Sequence, residues 1–67
     1  MKRYQIIQDG NIYSELTNIV DFDLEVTDIL INNNVLKTHT IKTLSLDCLV
    51  TILENELDME VIIKEGK

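Results

Sequence analysis

His39 and Cys48 are the two side chains here that can act as soft metal ligands or polarisable nucleophiles, and each is the single residue of its type. A structural zinc site takes about four such ligands, so the pair cannot build one. A cysteine becomes a nucleophile beside a basic neighbour, and none is identifiable in sequence near Cys48. Carboxylates are the abundant chemistry, with Asp and Glu numbering 12. They are most ordered in IVDFDLEV, residues 19–26, where Asp21, Asp23 and Glu25 alternate with Val20, Phe22, Leu24 and Val26. On a strand that alternation sends the apolar set to one face and the three acids to the other, about 6.7 Å apart. Such a row suits recognition of a basic surface. It does not suit calcium, because Asp-x-Asp-x-Glu lacks the turn glycine and the distal glutamate of a calcium loop.

A phosphate-cradling glycine loop, CxxC, HExxH and GxSxG are all missing from the sequence. The expectation is a non-enzymatic chain that takes no cofactor and no metal. A net charge of −6, with the cations scattered apart from Lys2-Arg3, opposes direct binding to nucleic acid or to an anionic membrane. An apolar leader and a run of about 20 apolar residues are likewise lacking, which predicts a cytoplasmic protein.

The elements that must position these residues fit one α+β domain spanning residues 1–67. A chain of 67 residues buries only about 60% of its unfolded surface, and with one cysteine it has no internal disulfide to compensate. Self-association is the remaining source of stability. Asp9-Gly10 predicts a type I′ hairpin in RYQIIQDGNIYSEL, setting Ile7 against Ile12 and Ile6 against Tyr13. The acidic strand follows from Ile19 to about Thr27, with a change of phase at Asp28. Asn32-Asn33-Asn34 then reads as the loop of a second hairpin, pairing Ile31 with Val35 and Leu30 with Leu36.

SLDCLVTILENEL carries the helix signature. Ser45 is placed to cap it, Asp47 lies in its first turn, and Leu46, Leu49, Val50, Leu53 and Leu57 make its core stripe. Asp58 ends it, and MEVIIKE reads as a last strand with Met59, Val61 and Ile63 on one face. The predicted order is β-β-β-β-α-β. It describes an antiparallel or mixed sheet of about four to five strands with one amphipathic helix packed on a face.

Two surfaces follow from that arrangement. The acids Asp21, Asp23 and Glu25, with Glu54, Glu56 and Asp58 at the helix C-terminus, form a candidate partner-binding set. The second acidic group opposes the negative end of the helix dipole and would gain from a basic partner. Cys48 and Ile52 lie round from the leucine stripe, while Tyr4, Ile6 and Tyr13 share a hairpin face. Together they form a candidate oligomer interface.

The leading expectation is a small acidic interaction module, homo-oligomeric, that binds another protein. Its size, acidity and composition resemble those of short accessory proteins of phages and mobile elements. The alternatives are an acidic mimic of a nucleic-acid backbone that blocks a DNA- or RNA-binding protein, and a structural subunit of a larger assembly.

Overall fold

A computed structural model describes residues 2–65. The chain forms β1 (Lys2–Gln8), β2 (Asn11–Leu16), α1 (Ile19–Asn32), a short α2 (Thr38–Ile41), α3 (Leu46–Leu57) and β3 (Glu60–Glu65). It is a small α+β domain with a three-stranded antiparallel sheet ordered β2-β1-β3. The sheet thus has fewer strands than expected, and helices replace the second hairpin.

Asp9 and Gly10 both take positive φ, at 53° and 80°, so the type I′ turn forms where the sequence places it. Ile7 pairs with Ile12 as that turn requires. One step further the register slips, and Ile6 pairs with Ser14, leaving Tyr13 as the extra residue of a β-bulge. β3 then adds to the other side of β1, with Tyr4 opposite Ile63 and Ile6 opposite Val61.

Residues 19–32 are helical where alternation had predicted a strand followed by the start of a hairpin. Two apolar periods overlap in this segment. The alternation of Val20, Phe22, Leu24 and Val26 lasts only four members, whereas Phe22, Val26, Ile29 and Leu30 recur at i, i+4, i+7 and i+8, and these four are buried. The ends favour the helix too. The Asn18 side chain accepts from the Asp21 N–H at 2.8 Å, and its amide donates to the Asp21 carboxylate at 2.8 Å, forming a reciprocal cap.

The asparagines close α1 and do not turn a hairpin. Asn34 sits in the left-handed region at φ 58°. The Val35 N–H bonds the Leu30 carbonyl at 2.9 Å and the Asn34 N–H bonds the Ile31 carbonyl at 3.0 Å, which is a Schellman closure. Residues 35–40 consequently form no strand, and His39 lies exposed in α2.

α3 behaves as the sequence predicts. Ser45 caps it by accepting from the Cys48 N–H at 3.4 Å, Leu49 and Leu53 are buried, and Asp58 ends it in a left-handed conformation. α1 and α3 cover one face of the sheet, α1 beside β2 and α3 beside β3. Between the layers lie Tyr4, Ile6, Phe22, Val26, Ile29, Leu30, Ile41, Leu49, Leu53 and Met59. Tyr4 and Phe22 stack across the layers at 4.8 Å between ring centroids. Among the described residues no helix is long and apolar enough to cross a membrane.

Candidate functional site

The acids of residues 21–25 do not form a row. A helix turns about 100° per residue, so Asp21 and Glu25 share one flank of α1 while Asp23 lies on the other. Asp28 joins the first flank, which therefore carries acids at i, i+4 and i+7. Two of these have local work. Asp21 completes the N-terminal cap, and Glu25, half-buried, accepts a 2.7 Å hydrogen bond from the Ser14 hydroxyl that ties α1 to β2. Asp23 lies across the helix beside Thr27, at a shallow depression shared with Thr38, Ile41 and Lys42.

The acids at the end of α3 divide similarly. Glu54 accepts from the Val61 N–H at 3.4 Å, tying α3 to β3. Asp58 is the left-handed C-cap residue, and Glu56 is exposed. The sequence had placed all six acids in one recognition set; the fold distributes them over two helices and gives several a structural partner.

The expected oligomer residues also separate. Tyr4 and Ile6 belong to the core at 7% and 0% exposure, because they point under α1 and α3, and so offer no interface. Tyr13 is exposed at the bulge. Cys48 is exposed and Ile52 half-buried on the side of α3, where they line a shallow apolar depression with Leu44, Asp47 and Thr51. A deeper groove, of about 410 Å³, lies over the Tyr4–Phe22 pair, with Ile19, Val50, Val61 and Ile63 among its walls.

The most organised exposed feature is one the alternating-strand reading concealed. Val20 and Leu24 stand at i and i+4 along α1 on the side away from the core, with half-buried Thr27 and core-packed Ile31 continuing their line toward the helix C-terminus. Val20 and Leu24 are 65% and 60% exposed, although strand alternation had assigned both to the buried face. Asp21, Glu25 and Asp28 run alongside this line on one flank and Asp23 borders it on the other. The signal that would have found it is the cap itself: Asn18 three residues before Asp21, ahead of an apolar run, is a helix start.

Among the described residues, no group of three or more His, Cys, Asp or Glu is placed to hold a metal ion. No family model, curated protein or solved structure matches this chain.

Proposed function

We propose that this domain is a non-enzymatic protein-binding module whose recognition surface is the outward side of α1. The observation that carries the reading is the exposed aliphatic pair Val20 and Leu24, bordered by Asp21, Glu25, Asp28 and Asp23. Large exposed aliphatic side chains grouped on one helix face lose free energy to water until a partner covers them. The acids beside them prefer a basic rim and repel a second copy of the same helix face. The fitting partner is another protein presenting an apolar ridge edged with Lys or Arg, such as a basic amphipathic helix.

A photo-crosslinking residue at position 24, compared with one at Thr43, tests this. The expected result is a discrete crosslinked protein from position 24 only, lost with Val20→Asp and weakening as salt rises. Equal yields at both positions, or capture insensitive to Val20→Asp, would reject the α1 surface.

The second reading, mimicry of a nucleic-acid backbone, draws on the line of Asp21, Glu25 and Asp28. Steps of four and three residues along a helix space these acids by about 6.0 and 4.5 Å, closer than a strand would set them. Mimicry predicts that Glu25→Gln with Asp28→Asn abolishes capture while Val20→Ser does not, and that duplex DNA competes for the captured protein. The exposed aliphatic pair beside the acids favours the first reading.

A further inference from the structure

We infer that the face of the sheet turned away from the helices is a self-complementary surface, covered in solution by the same face of a second copy. The inference rests on the strand registers and not on the α1 reading.

Pairing places Arg3 beside Lys64, Gln5 between Glu15 and Ile62, and Ile7 between Ile12 and Glu60. All of these share the face opposite Tyr4 and Ile6, because side chains alternate along each strand. The helices lie on the other side, and this face sets three isoleucines among Arg3, Gln5, Glu15, Glu60 and Lys64. Ile7 and Ile62 are half-buried and Ile12 is exposed; Ile12 pairs with Ile7, and Ile62 stands diagonal to Ile7 across β1 and β3. At the centre of the face Gln5 is only 8% exposed and donates to the Glu15 carboxylate at 2.6 Å.

Charge is polarised along the strands. Arg3 and Lys64 stand together at one end, where like charges directly opposed are unfavourable, and Glu60 stands at the other end of β3. Along β3 the outer face therefore reads Glu60, Ile62, Lys64: acid, apolar, base. A twofold axis lying parallel to the sheet and across its strands, level with the Gln5–Ile62 pair, superposes that series on its own reverse. Lys64 then meets Glu60 of the second copy twice over, Ile62 meets Ile62, and Arg3 packs toward Ile7 and Glu60 of the second copy. A twofold along the strands sets Arg3 against Arg3 instead, so the charges select the first axis. Glu15 faces its own counterpart in this arrangement, with its carboxylate bonded to Gln5. The result is an isologous sheet-on-sheet packing, in which each residue contacts its partner reciprocally.

Lateral addition of strands is the competing route, and both sheet edges are protected against it. The bulge at Tyr13 distorts β2, and the Glu54 carboxylate occupies the Val61 N–H on the free side of β3. The face remains the open route.

Light scattering behind size exclusion, over a dilution series of the full chain, is the test. The wild type is expected to interconvert between monomer and dimer, and Ile62→Asp to run as a monomer with an unchanged far-UV spectrum. Lys64→Glu and Glu60→Lys should each weaken the dimer by about tenfold or more, since each opposes like charges at both symmetric contacts. The combined E60K and K64E chain restores both pairs with their signs exchanged and should recover the dimer. That recovery decides the matter even if Ile62→Asp fails to fold. A monomer at every concentration, a dimer that survives Ile62→Asp in folded form, a larger assembly, or charge exchange without recovery would each overturn the inference. None of these outcomes bears on crosslinking from position 24, so the α1 surface stands or falls separately.

Discussion

The rings of Tyr4 and Phe22 lie 4.8 Å apart at their centroids with planes inclined by 18°, joining the central strand to the first helix. Phe22 is 1% exposed and is the largest fully buried side chain. The stack forms the floor of the groove between α1, α3 and β3, so the same pair supports the core and shapes that surface.

Phe22→Ala should therefore be severe. Removing a buried phenylalanine costs about 3–5 kcal/mol, from lost transfer energy and the cavity left behind. Native domains hold about 0.05–0.15 kcal/mol per residue, so a chain this short holds about 3–10 kcal/mol and loses a large share of it. Urea denaturation is expected to find the midpoint lowered by half or more, or the variant unfolded without denaturant. A midpoint within error of wild type would mean that Phe22 does not occupy the core.

The Asn18–Asp21 cap is predicted to be worth less but to be specific. Asn18→Ala removes the acceptor for the Asp21 N–H and should cost about 1 kcal/mol. Asp21→Ala removes the reciprocal carboxylate and the favourable charge in the first turn, for about 0.3–1 kcal/mol. Because the two side chains bond each other, the double variant should lose less than the sum, which a double-mutant cycle would detect. Strict additivity would count against the pairing.

Asp58 offers a gain. It holds φ 55° at the end of α3, where a residue with a Cβ is strained and an acid opposes the helix dipole. Asp58→Gly relieves both, against the larger entropy that glycine loses on folding. The expected net is a stabilisation of a few tenths to about 1 kcal/mol, with Asp58→Asn giving part of it through the charge alone. Loss of stability with both variants would show that the Asp58 carboxylate has a favourable partner.

What the sequence made legible follows from how local each determinant is. The Asp9-Gly10 turn, the Ser45 cap and the leucine stripe of α3 are fixed by residues within one or two turns of each other, and all appear where expected. Residues 19–27 satisfied two periods at once, and the deciding members, Ile29 and Leu30, lie beyond the alternating run. Asn34 tolerates positive φ, and that tolerance closes a helix as readily as a hairpin. The outward apolar side of α1 was obscured by that one assignment. A strand buries Val20 and Leu24 with Phe22 and Val26, whereas the helix divides the four into an inner and an outer pair. The burial of Tyr4 and Ile6 was a matter of which sheet face the helices cover, and no local signal states it.

Cys48 distinguishes the two surfaces available for self-contact. It is exposed on the side of α3, next to half-buried Ile52 and away from the outer face of the sheet. A maleimide should label it in the folded chain at the same rate at all protein concentrations, and Ile52→Glu should leave the oligomeric state unchanged. Labelling that slows as concentration rises would place the α3 depression, and not the sheet, within the contact between copies.

Leu24 and Val26 provide the most direct check on the architecture that underlies the α1 surface. Two residues apart on a strand, they would occupy the same face and respond alike to substitution. On α1 they are turned about 200° from one another, with Val26 at 0% exposure and Leu24 at 60%. Val26→Ser buries an unpaired hydroxyl and removes core contacts, so it should cost several kcal/mol, on the order of 2–4. Leu24→Ser exchanges an exposed apolar group for a polar one and should stay within about 0.5 kcal/mol of wild type. If the outward side of α1 binds a partner, crosslinking from position 20 should nevertheless be lost with Leu24→Ser. Denaturation curves of the two variants, taken beside that crosslinking, separate a residue kept for the fold from one kept for a partner. Equal destabilisation by both would return residues 19–27 to a strand and remove the α1 surface with them.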